Sequence, residues 1–199
     1  MSEHYYTENP NSAHDERWVD VKALGCDMRF VTDAGVFSRD GLDRGTEVLL
    51  EALPPLAGRV LDLGCGWGPV GVTLARKYPA LDVVMTDINT RAVELARRNL
   101  AENGAKARVV QGDGFEGVEG DFDAIITNPP IRAGKAVIYR LFDEARDRLR
   151  PGGALYAVIR KQQGAPSALK YLREIYPRAE TVGRGSGFHV LCARDPLPR

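Results

Sequence analysis

The chain has 199 residues, 44% of them hydrophobic, enough for a sizeable core without covalent staples. Lys plus Arg and Asp plus Glu both number 27, so no net charge marks it as a nonspecific polyanion binder, although local basic patches stay open. Cys26, Cys65 and Cys192 are too scattered for a disulfide framework or a zinc site, and neither a membrane span nor a signal-peptide core is present, so a cytoplasmic, metal-free protein is expected.

Residues 1–16 are polar, with Asn9-Pro10-Asn11-Ser12, and read as a surface arm. Arg17–Lys22 and Cys26–Thr32 carry strand-forming residues around Leu24-Gly25 and predict a hairpin. A helix is expected from near Asp43, ending at Pro54-Pro55. Strands then alternate with helices: Arg59–Leu63, Pro69–Tyr78, Asp82–Thr86, Thr90–Asn103, Arg108–Gln111, Ala124–Thr127, Lys135–Leu149 and Ala154–Ile159. Pro151-Gly152-Gly153 reads as a break before the last of these. Such alternation predicts βαβ units and a mostly parallel sheet covered on both faces. Ala179–Val182 and Phe188–Ala193, joined by a glycine-rich turn, predict an antiparallel hairpin closing the sheet. One α/β domain over 1–199 is expected, with an N-terminal extension over 1–42 and the core over 43–199; a monomer is the expectation.

The stretch Val60-Leu61-Asp62-Leu63-Gly64-Cys65-Gly66-Trp67-Gly68-Pro69-Val70-Gly71 is an apolar strand entering a glycine loop that opens a helix. Open α/β sheets bind ligands at this carboxyl edge. Gly66, Gly68 and Gly71 fit a dinucleotide fingerprint, and Asp87 stands where a ribose-binding carboxylate belongs. By glycines alone the loop suits NAD or S-adenosylmethionine (SAM). Asp62 favours SAM, which brings cationic ammonium and sulfonium groups where a dinucleotide brings an anionic pyrophosphate. Gly112-Asp113-Gly114-Phe115 adds a carboxylate after the third strand, placed to accept from an adenine amino group.

Asn128-Pro129-Pro130 follows the apolar Ala124–Thr127. Each proline fixes its own φ and restricts the residue before it, so the corner is stiff. It exposes two acceptors, the Asn128 amide oxygen and the Pro129 carbonyl, able to hold both hydrogens of one planar amino group. Such nitrogens are poor nucleophiles because the lone pair is delocalised. Two acceptors draw the nitrogen toward tetrahedral geometry and aim the lone pair at an electrophile, so positioning replaces a strong base.

With those motifs, the chain resembles class I SAM-dependent methyltransferases, and more closely the catalytic domain of the small-subunit ribosomal RNA guanine-N2 methyltransferases (RsmC-like). The resemblance runs from about His4-Tyr5-Tyr6 and includes Gly35-Val36-Phe37-Ser38-Arg39-Asp40-Gly41-Leu42-Asp43 and Val158-Ile159-Arg160-Lys161-Gln162-Gln163-Gly164-Ala165. It implies a Rossmann-like fold, SAM as cofactor and an RNA substrate. It also implies that Asp62, Gly64, Gly66 and Gly68 hold the methionine end of SAM, Asp87 its ribose, Ile88 and Phe115 the faces of its adenine, and Asp113 with Gly114 the adenine edge. Gly45 and Thr46 would close the cofactor from the other side, and Asn128, Pro129 and Pro130 would orient the acceptor nitrogen beside it. The resemblance departs at Ile131, where the family carries an aromatic ring that stacks on the target base; Phe37 is the expected substitute. The longer bacterial members also carry an additional methyltransferase-like half, which this sequence does not show.

Arg132 and Lys135 follow Asn-Pro-Pro, and Arg160 and Lys161 end a later strand, predicting a basic rim for a nucleic-acid backbone. His4, His14 and His189 are scattered and expected to be non-catalytic, and Cys65 is expected to serve by its small size. Tyr5-Tyr6 suits RNA stacking or docking of the arm equally. The expected activity is methyl transfer to an exocyclic amino group, guanine N2 of ribosomal RNA first. A protein glutamine amide or adenine N6 is the alternative acceptor, with an NAD-dependent oxidoreductase or a nonenzymatic SAM-binding module behind.

Overall fold

The computed structural model describes residue 8 and residues 12–196; the expectations for His4, Tyr5, Tyr6 and residues 9–11 lie outside them. Two strands, β1 (Arg17–Ala23) and β2 (Cys26–Thr32), pair as the expected hairpin, followed by α1 (Arg44–Ala52). The core continues through β3 (Arg59–Leu63), α2 (Pro69–Lys77), β4 (Asp82–Asp87), α3 (Thr90–Glu102), β5 (Arg108–Gln111) and β6 (Phe122–Thr127). It ends with α4 (Lys135–Arg146), β7 (Leu149–Arg160), α5 (Ala165–Ile175), β8 (Arg178–Gly185) and β9 (Phe188–Arg194).

Among the described residues the main sheet has seven strands in the order β5-β4-β3-β6-β7-β9-β8, parallel except for β9, which runs antiparallel to both its neighbours. Chain order reverses between β3 and β6, which makes their carboxyl ends the switch point where ligand crevices open. Strand residues alternate between two cores. Val60, Ala124, Ile126 and Tyr156 pack with α1, α2, α3 and the hairpin, while Leu61, Ile125, Leu155 and Ile159 pack with α4 and α5.

Two local readings are corrected. Pro151-Gly152-Gly153 does not break the chain but lies inside β7, where the β6 register shifts between Phe122 and Ala124. A Cβ on Gly153 would come within 3.0 Å of the Phe122 carbonyl oxygen, so glycine lets β7 run close past the bulge. Helix α4 accordingly ends at Arg146, short of the expected Leu149. Helix α5 was not expected at all. It starts after Gly164 with Pro166 in its first turn and buries Ala165, Ala168 and Leu172 on one stripe.

The hairpin joins the core through α3. Asn99, fully buried, accepts from the Val31 amide at 2.7 Å and donates to the Val31 and Trp67 carbonyls at 2.9 and 2.8 Å. One turn on, Asn103 repeats the pattern with the Arg29 amide and carbonyl at 3.0 and 2.8 Å. Two carboxamides at i and i+4 thus satisfy an edge of β2 that would otherwise need a further strand. Replacing Asn99 by Leu leaves three buried backbone groups without partners, so Asn99→Leu should lower unfolding stability by about 3 kcal/mol, read from urea denaturation midpoints.

Candidate active site

Pairing brings the candidate residues together. Leu63 at the end of β3 lies beside Thr86 of β4 and Thr127 of β6, so the glycine loop, Asp87 and Asn128 leave the sheet side by side. Asp87 pairs with Gln111, which puts Gly112-Asp113-Gly114 next along the same edge. Above them opens a cavity of about 690 Å³.

The glycine loop is held from β4: the amides of Gly64 and Cys65 donate to the Thr86 carbonyl at 2.8 and 2.9 Å. Gly66, at φ 56°, adopts a left-handed conformation that a side chain disfavours, and nothing lies within 4 Å of where its Cβ would be. Its amide donates to Asp87 Oδ2 at 2.7 Å, while Oδ1 accepts from the Asn89 amide at 2.9 Å. Gly71 has a different reason: a Cβ there would strike the Met85 side chain at 2.6 Å, so glycine lets α2 lie against β4.

Asp62 is buried beneath the loop, and its Oδ2 accepts from the Gly71 amide at 2.8 Å. Burial is the main cause that lifts its carboxyl to about 7; the Asp87 charge adds to this and the Gly71 bond opposes it. Burial also raises Asp87, against the Asn89 and Gly66 amides. Two carboxyl groups short of compensating charge on one wall fit a cationic ligand, and the open surface over Gly64 and Gly66 leaves room for it. The Cys65 thiol is pushed well up by the same burial, so it is no nucleophile at neutral pH.

Trp67 was not singled out by sequence, yet it fixes the roof. It is buried, sets its ring edge-on to Phe30 at 5.0 Å, and its indole N–H donates to the Phe37 carbonyl at 2.9 Å. The loop carrying Val36, Phe37 and Ser38 is thereby pinned over the glycine turn, and Phe37 keeps 38% of its surface exposed at the mouth. Replacing the indole by a benzyl ring keeps the edge contact and removes the donor. Trp67→Phe should therefore raise the cofactor Kd about tenfold and also lower the melting temperature by several degrees, through the lost donor and the space the indole leaves, measured by calorimetry and thermal denaturation.

Asn128 stands on the cavity wall with Pro129 and Pro130. Its Nδ2 donates to Thr46 Oγ1 at 3.1 Å and to Asp43 Oδ2 at 3.3 Å. Asp43 caps α1 by accepting from the amides of Gly45 and Thr46, at 2.9 and 3.3 Å. The Pro130 carbonyl is taken by the Ala133 amide, whereas no backbone amide among the described residues donates to the Pro129 carbonyl.

The other predicted residues divide. Thr46, Ile88, Asp113, Gly114, Phe37, Ile131 and Arg132 line the cavity; Gly45, Gly68, Phe115, Lys135 and Lys161 do not. Gly45 lies behind the wall, where a Cβ would meet the Phe188 ring at 2.9 Å. Phe115 turns into the α4 side of the core, under the Arg148 guanidinium. Asp113 accepts with both oxygens from Arg140, at 2.8 and 3.0 Å, a pair that sequence reading missed. On the rim, Arg160 covers the Phe188 ring at 5.0 Å, and the Lys161 amide donates to the Gly187 carbonyl at 2.8 Å. Among the described residues no group of three His, Cys, Asp or Glu is arranged to hold a metal ion, and no helix is long and apolar enough to cross a membrane.

A seven-stranded sheet ending in an antiparallel strand pair, with acidic residues under a glycine loop and Asn-Pro-Pro beside it, defines a class I SAM-dependent methyltransferase. Residues 27–192 match the model of the Methyltransferase small domain, and the chain belongs to that family, in its RsmC-like branch. The dinucleotide alternative falls with that membership. The chain is 38% identical to the uncharacterized protein YbxB of Bacillus subtilis (strain 168), over 98% of this chain and 99% of that one. It is 43% identical to ribosomal RNA small subunit methyltransferase C of Pasteurella multocida, over 78% of this chain and 49% of the relative. Among solved structures, the T. thermophilus 16S rRNA N2 G1207 methyltransferase (RsmC), in complex with AdoMet and guanosine, superposes with a TM-score of 0.80 at 30% identity. That match covers 90% of this chain and 50% of the solved one. The chain therefore spans about half the length of the methyltransferase C relatives it matches.

Proposed function

We propose that this methyltransferase acts on an exocyclic amino group of RNA in the cytoplasm, guanine N2 of small-subunit ribosomal RNA first. The observation that carries the reading is Asn128-Pro129 on the wall of the cavity that Asp62, Gly64, Gly66 and Asp87 also line. SAM, when bound, supplies an electrophilic methyl on a sulfonium. Asp62 and the glycine loop would hold its cationic end, Asp87 its ribose, and Ile88, Asp113 and Gly114 its adenine. Asn128 Oδ1 and the Pro129 carbonyl accept the two N–H bonds of the acceptor and turn its lone pair toward the methyl carbon. No strong base is required, because the methylated nitrogen sheds its proton readily once cationic.

A paired amino group is occupied, so the target base enters flipped or from a single strand. Phe37 and Ile131 at the mouth supply apolar contact, and Arg132, Lys135 and Lys161 face the backbone. The names of the methyltransferase C relatives and of the guanosine-bound structure support RNA as the partner.

Labelled SAM offered to small-subunit ribosomal RNA, to assembled small subunits and to total protein, each from cells lacking the gene, tests the acceptor. Label in RNA recovered as N2-methylguanosine is the expected result. Label in a glutamine side chain or at adenine N6, with none at guanine N2, would replace it.

A further inference from the structure

An Asn carboxamide offers an acceptor at one end and a donor at the other, and only one orientation presents oxygen to an amino group. Proline rigidity fixes the backbone of the corner and does not choose between the two. The choice is made across the cavity. The Asp43 carboxylate has acceptors only, so the Thr46 hydroxyl, in contact with Oδ2, must donate its single proton there. Thr46 Oγ1 is then left to accept, and the group facing it at 3.1 Å must be the Asn128 NH2. A direct contact of that NH2 to Asp43 Oδ2 at 3.3 Å enforces the same polarity. The reversed amide would set its oxygen against a carboxylate.

We propose that Asp43, acting directly and through Thr46, is a positioning residue that sets the direction of the Asn128 amide, so that Oδ1 and not Nδ2 meets the acceptor nitrogen. This rests on the role given to Asn128 under the proposed function. It assigns Asp43 a task beyond capping α1, and it commits the Thr46 hydroxyl to the Asn128 relay.

Asp43→Asn is the decisive variant, because it keeps shape and capping ability while turning one end of the side chain into a donor. If the introduced carboxamide caps α1 with its oxygen, its NH2 faces Thr46. The hydroxyl then accepts from it and is free to donate to Asn128, while at the 3.3 Å direct contact an unreversed Asn128 would set its NH2 against the introduced NH2, so Asn128 reverses. With small-subunit ribosomal RNA as acceptor, kcat should fall about 100-fold while cofactor Kd and melting temperature stay near the parent's. Thr46→Ser, which keeps the hydroxyl, should retain most of the rate, and Thr46→Val should not. In an Asn128→Ala background Asp43→Asn should cost nothing more, whereas a structural role would add its loss. An independent readout needs no acceptor: by 15N NMR the Asn128 side-chain amide protons should exchange slowly in the parent and quickly in Asp43→Asn.

Parent-like kcat in Asp43→Asn beside an inactive Asn128→Ala would overturn the inference and leave the proposed function standing. Additive losses in the double variant, or unchanged amide exchange, would overturn it too. If ribosomal RNA takes no methyl from the parent, the acceptor assignment fails, and the exchange measurement still decides the direction of the amide.

Discussion

Asn128→Ala should bind SAM and transfer almost no methyl, with kcat about 1,000-fold below the parent, a loss of about 4 kcal/mol of transition-state stabilisation. The reason lies in when the interaction matters. A hydrogen bond from an amino group to Oδ1 strengthens as the nitrogen becomes tetrahedral and gains positive charge, so it counts more in the transition state than in the bound substrate. Removing a preorganised group of that kind costs on the order of 100- to 1,000-fold, and here the second acceptor, the Pro129 carbonyl, loses its partner in the pair. Cofactor affinity should move much less, since one lost hydrogen bond is worth about 1 kcal/mol, within a factor of about ten. Single-turnover transfer with cofactor titration by calorimetry separates the two. A variant with weakened SAM binding and an undiminished chemical step would place Asn128 on the cofactor alone.

The second large effect is a pH dependence set by Asp62. Its carboxyl, near 4 in an unfolded chain, is raised to about 7 in the fold by burial. Between those values the folded state holds a proton that the unfolded state has released. Stability is therefore greatest below about pH 4 as far as this group is concerned, and falls as pH rises to about 7, by about 4 kcal/mol in total. Asp87, raised by the same cause, adds in the same direction. Asp62→Asn keeps an oxygen for the Gly71 amide and has no proton to lose. The ligand-free variant should thus unfold at higher temperature than the parent at pH 8, with the difference vanishing toward pH 4. Cofactor binding should show the inverse. A cationic ligand favours the carboxylate, so binding expels the proton, and affinity in the parent should rise up to about tenfold per pH unit between pH 5.5 and 7. In Asp62→Asn that slope should shrink to the part that Asp87 contributes, and affinity at pH 8 should drop on the order of 100-fold. Melting curves and calorimetry across pH check both halves; a parent whose affinity is level over this range would show that Asp62 does not answer to the ligand's charge.

Much of this architecture was legible locally. Strand and helix alternation gave the parallel sheet and its helix layers because buried parallel strands are short apolar runs, as at Arg59–Leu63 and Ala124–Thr127. The three signals that carry the cavity, the glycine loop, Asp87 and Asn128-Pro129-Pro130, each sit where a strand stops, and topology alone gathers strand ends. What was not legible depends on distance along the chain. Asp43 and Asn128 are 85 residues apart and Phe37 and Trp67 are 30 apart, so no window holds either partnership. Asp43 carries the signature of a helix start and closes the Gly35–Asp43 segment of the resemblance, and neither points to Asn128. Phe115 follows an aspartate in a turn, and nothing local says that its ring leaves the cavity for the core. Helix α5 carries its marks in full, Pro166 in the first turn and an apolar face at Ala165, Ala168, Leu169, Leu172 and Ile175, so here a local signal was present and passed over. Pro151-Gly152-Gly153 misled because a strand passing a bulge uses the same residues as a turn.

The Asn99 and Asn103 ladder has a consequence for how such proteins can be cut and recombined. Because a helix of the cofactor-binding half serves as the missing neighbour of β2, the hairpin is not a detachable module. A shortened protein beginning after residue 42 would leave the Asn99 carboxamide facing an apolar gap, stripped of both its Val31 partners. Grafting this hairpin onto another scaffold would require the matching stretch of α3 to travel with it. Inserted sequence, by contrast, belongs at the exposed Gly25 of the hairpin turn, which already takes a left-handed angle, provided Leu24 keeps its packing on the core; the ladder is then untouched.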